Sequence, residues 1–275
     1  MSPDATSIYA TIATHSFPFW VTVVAFFIAL PAIALLGHRT GILEYRHRNP
    51  SEPDRGLPGE TSLGALLALL GLLLGFTFSA ALHWREDRAT AVVEEAAAIG
   101  TAFLRADLLP DGAGRPLQEA LLAYARTRVV PAGVTPDRAE VETFVVKSLE
   151  AQAALWPALK AGLGPDTPAA LQVNVSGGVT EVLDAHTRRA AAASKTISSS
   201  TQAFLLLVTA AGVFVVGNRS ALRGRRLSWR TFLFSIVLAS VLVLIEDLDR
   251  PTDGFTTVPQ GALVAVVADM EAALR

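Results

Sequence analysis

Leu63 to Leu82 is a run of twenty residues with no charge and no proline, in which Thr77 and Ser79 are the polar side chains. As a helix this run crosses a hydrocarbon core of ~30 Å. No breaker follows Leu82. The chain continues as His83-Trp84-Arg85-Glu86-Asp87-Arg88 and then turns amphipathic, with Val92, Ala96, Ile99 and Phe103 at i, i+4, i+7 and i+11. The first strong stop is Pro110, ahead of Asp111-Gly112-Ala113-Gly114. The pattern predicts one rod over residues 63–109, roughly 70 Å long at 1.5 Å per residue, which leaves the bilayer and enters water.

Three further apolar runs read as spans. Phe17 to Leu36 has Pro18 in its first turn, Pro31 inside, and Phe17, Phe19 and Trp20 as interfacial anchors. Residues 37–62 form a polar connector containing Pro50, Pro53 and Pro58, expected to be irregular apart from a short turn at Ile42–Arg48. Thr61 or Ser62 is the expected cap of the second span. The third span is Ile197 to Gly217, with a strictly apolar part from Ala203. The fourth is Thr231 to Ile245, after a basic hairpin over residues 218–230. Both are short, which fits burial among other helices or a thinned, partly wet environment rather than full lipid contact.

Residues 83–196 hold 12 Lys+Arg and 14 Asp+Glu and show helical periodicity throughout. Leu117, Leu121, Leu122, Ala125 and Val129 make one stripe, ended by Pro131. Thr135-Pro136 opens a helix through Val141, Phe144, Val145, Leu149 and Leu155, disturbed at Pro157. Thr167-Pro168 opens another through Leu171, Val175, Val179 and Leu183, weakened at Gly177-Gly178. A final helix is expected over Gln260–Leu274.

Composition fits this picture: 51% hydrophobic, 17% charged, mean hydropathy +0.42, where soluble domains carry about 25% charge. Net charge of −2 gives no case for nucleic acid, and the absence of cysteine excludes disulfides and thiol chemistry. No cleaved signal peptide is evident. Four spans put both termini and segment 83–196 on one side. The two opposite connectors hold nine arginines, the first 16 residues none, and the tail from Glu246 two. Positive-inside counting therefore puts the helical domain outside the cytoplasm. Arg85, Arg88, Arg188, Arg189 and Lys195 flank the spans on the domain side and weaken the asymmetry.

Candidate constellations follow. Gly64, Ala68, Gly71, Gly75 and Ser79 form one small-residue face on the second span, suited to close helix packing within or between subunits. Glu246, Asp247, Asp249 and Asp253 cluster where the fourth span ends. They are either ion-paired to arginines such as Arg105, Arg188 or Arg250, or oxygen ligands for Ca²⁺. Glu94, Glu95, Arg105 and Asp107 lie on the rod, and Glu181, Asp184, His186, Arg188 and Arg189 on the helix leading back to the third span. Antiparallel packing would make these a salt-bridge network or an anion vestibule. Enzyme motifs are absent: no Gly-x-Gly-x-x-Gly, Walker lysine, His-Glu-x-x-His or Gly-x-Ser-x-Gly.

Gly75-Phe76-Thr77-Phe78-Ser79, Val92-Val93-Glu94-Glu95-Ala96 and the run Ile99 to Pro110 resemble a bacterial bestrophin-like family of unknown function (the DUF4239 group). So do Leu183-Asp184-Ala185-His186-Thr187-Arg188-Arg189 and Asp247-Leu248-Asp249-Arg250-Pro251. The resemblance implies four spans, a long second helix lining a central axis, and a helical domain between spans two and three. It further implies a homo-oligomeric channel, pentameric as bestrophins are, conducting small anions, with a hydrophobic neck at Phe76 or Phe78 and a calcium clasp. Two departures stand out. Bestrophins keep the helical domain in the cytoplasm, against the charge count, and their clasp is a denser acidic run.

The expectation is thus an all-α integral membrane protein of the bacterial inner membrane, bestrophin-like, in four segments: 1–82, 83–196, 197–249 and 250–275. It is expected to partner the lipid bilayer and copies of itself. The rival is a non-conducting membrane scaffold or sensor whose helical domain binds a partner.

Overall fold

The computed structural model describes residues 18–47, 60–130, 138–223, 226–250 and 254–275. The N-terminal segment to Phe17, the proline-rich part of the first connector, Thr135-Pro136 and Asp253 lie outside these residues. The described residues form α1 (Phe19–His47), α2 (Glu60–Ala106), α3 (Arg115–Arg128) and α4 (Arg138–Gly162). They continue with α5 (Ala169–Ser194), α6 (Ser199–Leu222), α7 (Trp229–Asp249) and α8 (Gly261–Ala273). Among the described residues four stretches are long and apolar enough to cross a membrane: Phe19–His47, Thr61–Ala106, Ala169–Leu222 and Trp229–Asp249. The charge-free runs within the second and third are shorter, residues 61–84 and 196–218.

α2 is a single helix of 47 residues with no interruption at Leu82. It ends at Ala106 in a turn and a 3-10 helix, Pro110–Gly112, where Asp111 and Gly112 both take positive φ. Its start at Glu60 places Thr61 and Ser62 inside the first turn rather than at the cap.

Several helices outrun their apolar windows. α1 continues past Leu36 to His47 and so absorbs the first part of the expected irregular connector. The reason is packing. A Cβ at Gly37 would overlap the Phe214 carbonyl, one at Gly41 the Asn218 carbonyl, and one at Gly217 the Ala34 carbonyl. The backbones of α1 and α6 therefore touch through three glycines, the geometry that small residues permit in lipid. α6 reaches Leu222 and α7 starts at Trp229, each capped by a serine: Ser198 Oγ accepts from Thr201 N at 3.3 Å, and Ser228 Oγ from Arg230 N. α4 passes through Pro157 without ending, and α5 through Gly177-Gly178.

The chain divides into two compact units. The described part of the first holds Trp84–Lys195 and the tail from residue 254; the second holds residues 18–83 and Thr196–Arg250. The first unit has an ordinary apolar core. Val92, Ala96, Ile99 and Phe103 from α2 meet Leu117 and Leu121 from α3, Leu155 and Leu159 from α4, and Val175, Val179 and Val182 from α5. α8 adds Leu263 and Met270 to that core, so the C-terminal helix packs within this unit.

Candidate functional site

The core of the first unit contains charge. Glu95 of α2 is fully buried. Arg128 Nε donates to its Oε1 at 2.8 Å, Arg189 Nη1 to its Oε2 at 2.6 Å, and the Tyr124 hydroxyl to Oε1 at 2.5 Å. Tyr124 and Arg128 lie four apart on α3, so both reach the same point. Tyr124 O also sits 2.9 Å from His186 Nδ1. The tyrosine has one proton and spends it on Glu95, so the imidazole must carry its proton on Nδ1 and donate it back. Arg189 further donates to the Arg128 carbonyl and, at 3.2 Å, to Gln260 Oε1 at the start of α8. Six side chains, counting Gln260, thus tie α2, α3, α5 and α8 together.

These groups lie outside the apolar runs, and their titration is displaced. Burial alone would raise the Glu95 carboxyl, but Arg128 and Arg189, with the hydrogen bonds from Tyr124 and Arg189, bring it below the usual carboxylate value. Burial and the Arg128 charge push His186 down to about 4, so the ring is neutral at neutral pH. Burial and the Glu95 charge raise Tyr124, which stays protonated. With Glu95, Tyr124 and His186 at 0%, 0% and 3% exposure, no reactant reaches the cluster; it fixes helix positions.

The other half of the predicted network is exposed. Arg188 Nη2 meets Glu181 at 2.7 Å, and its Nε meets Glu94 at 3.4 Å. Asp184 and Asp107 are on the surface. Glu94, Glu181, Arg188 and Arg105 line a cleft of about 450 Å³ between α2 and α5. Arg250 belongs to the second unit, where it pairs with Glu246 at 3.1 Å, donates to Thr22 Oγ1 at 3.0 Å, and lies over the Phe19 ring. The structure brings Glu95, His186 and Arg189 together with Tyr124 and Arg128, two residues that the charge pattern of the sequence did not single out. A signal existed: Leu117, Leu121, Tyr124 and Arg128 recur at i, i+4, i+7 and i+11, so an arginine stands in an apolar stripe.

At the end of α7, Asp247 and Asp249 are fully buried in the second unit. Asp249 Oδ1 accepts the Ile197 backbone N–H at 2.9 Å, and Glu246 is committed to Arg250. Residues two apart on a helix face different ways. Among the described residues no group of three or more carboxylates, histidines or cysteines is placed to hold a metal ion.

On the second span, Gly64, Ala68, Gly71, Gly75 and Ser79 are all exposed. A Cβ added at Gly64, Gly71 or Gly75 would meet nothing within 4 Å. Phe76 is 67% exposed and Phe78 half-buried.

A family model described as a bestrophin-like domain matches residues 59–263. The chain belongs to the bestrophin-like family. Solved structures support the same fold. Two single-substitution variants of a bacterial bestrophin homologue from Klebsiella pneumoniae each align with a TM-score of 0.60 and 16% identity. One alignment covers 90% of this chain and 97% of that one, the other 92% and 96%. A crystal structure described as a membrane protein aligns with a TM-score of 0.61 at 16% identity, covering 90% of this chain and 97% of that one. No curated protein matches the sequence. In this bestrophin-like chain the matched region takes in α2, the interior charge cluster and both short spans.

Proposed function

We propose that copies of this bestrophin-like protein assemble around α2 in the bacterial inner membrane and form a channel for small anions. The observation that carries the reading is the open glycine face. α1 and α6 use their glycines against each other, whereas Gly64, Gly71 and Gly75 of α2 present a bare, exposed strip. Such a strip inside a membrane suits another helix, here the same helix of a second copy or the lining of a shared pore. A pentamer is the first assembly to test, by analogy with bestrophins. Phe76 and Phe78 are the proposed dewetting neck. Counting the connector arginines favours an extracytoplasmic helical unit, and the likeness to bestrophins a cytoplasmic one; an active C-terminal phosphatase fusion supports the first, and a fluorescent C-terminal fusion the second.

The deciding experiment is reconstitution into liposomes with a chloride-flux readout, alongside mass measurement in mild detergent. An oligomer with flux that changes in Phe76→Ala or Phe78→Ala supports the proposal. A monomer without flux removes it. Calcium is the less supported part, because Glu246 and Asp249 are committed inside the subunit. Calorimetry at millimolar Ca²⁺ with no heat would eliminate a clasp.

A further inference from the structure

We propose that the cleft between α2 and α5 is a binding site for a small organic monocarboxylate. The cleft of about 450 Å³ falls within the ~300–1,000 Å³ of small-molecule sites. It is contained in the first unit and does not rest on the pore reading.

Its charges are unequally committed. Arg188 is taken by Glu181 and Glu94. Arg105, half-buried, meets no carboxylate among the described residues; its Nη1 donates to the Asn174 carbonyl at 3.3 Å. A guanidinium has five N–H donors in a planar fork that matches a carboxylate in bidentate fashion. Arg105 is therefore the anchor, with Thr101 on the same wall.

Space for the ligand comes from small residues. Ala97, Ala98 and Gly178 line the cleft, and a Cβ at Gly178 would crowd the Arg105 side chain at 3.1 Å and the Ala102 backbone at 3.2 Å. The two alanines offer a hydrocarbon floor, which a short alkyl chain covers and a bare ion does not. Glu94 and Glu181 at the Arg188 end make the cleft hostile to a second negative charge. Together these features select one carboxylate on a small apolar body over phosphate or chloride.

Calorimetric titration of the purified full chain with butyrate, inorganic phosphate and chloride tests this. Butyrate should bind saturably in the millimolar range or tighter, and phosphate and chloride roughly tenfold more weakly or worse. Arg105→Gln should weaken butyrate at least about tenfold. Ala97→Phe, which fills the cleft from an exposed position without touching the core, should abolish binding even if the arginine variant proves unstable. Glu181→Gln should narrow the gap between butyrate and phosphate. Absence of saturable butyrate binding, chloride matching butyrate, or Ala97→Phe binding like wild type would overturn the assignment.

Discussion

The two units bring helices together by opposite means. In the second unit α1 and α6 meet where side chains are missing, at Gly37, Gly41 and Gly217. In the first unit α2, α3 and α5 meet around charge, with Glu95 held by Arg128, Arg189 and Tyr124. Solvent accounts for the difference. Between lipid-facing helices apolar burial yields little, and the gain comes from close backbone contact. In water apolar burial already drives association, and a buried ion cluster adds one constraint: each helix must stop at the register that satisfies the carboxylate.

That contrast can be broken from the charged side first. Glu95→Ala leaves two buried guanidiniums without their carboxylate and should cost ~3–5 kcal/mol. Thermal melting of the full chain followed by circular dichroism should show it; an unchanged midpoint would mean the cluster tolerates an uncompensated charge. The glycine side comes next. Gly217→Leu forces a side chain into the Ala34 carbonyl and should cost about 3 kcal/mol, read as loss of folded protein on extraction. Alanine at Gly64 is the control, since open space surrounds it.

Acid should probe the cluster more gently. An unfolded His186 takes a proton near 6.5, the folded one only near 4. Between those values the unfolded chain binds more protons, so stability is lost as pH falls from 6.5 towards 4, by at most roughly 3 kcal/mol. Glu95, lowered below its ordinary 4.5, adds a loss of the same sign at still lower pH. His186→Gln should flatten the upper part of this profile while leaving the lower part; identical slopes would remove the imidazole from the explanation. The smallest stability effect is expected at Gly71→Leu, within about 0.5 kcal/mol for the subunit because that face is bare. Its mass in detergent should nonetheless drop, and an undiminished oligomer would detach assembly from the strip.

Much of this architecture is legible in sequence because it rests on one-dimensional signals. The apolar run at 63–82 and the stripe through Val92, Ala96, Ile99 and Phe103 predict α2 to within a few residues at each end. The four spans follow from the same rule. What periodicity does not carry is the identity of the partner. Gly71 and Gly75 look like a packing motif as much as Gly37 and Gly41 do, yet only the second pair meets a neighbour within the subunit. The helical extensions to His47 and Leu222 depend on that same pairing and stayed hidden with it. The site was half visible: Glu95, His186 and Arg189 stood out as charges near a membrane surface. Tyr124 and Arg128 read as ordinary members of a surface helix until the carboxylate they serve was placed.

The unbroken course of α2 through the first unit fixes an angular phase between its buried carboxylate and its cleft arginine. Glu95 and Arg105 are ten positions apart on one helix, and at roughly 100° per position they point about 80° apart. A single alanine inserted between Gly100 and Thr101 would swing the guanidinium about 100° away from the cleft while Glu95 stayed in place. What the cleft presents is thus a matter of register along the helix as much as of which side chain stands there.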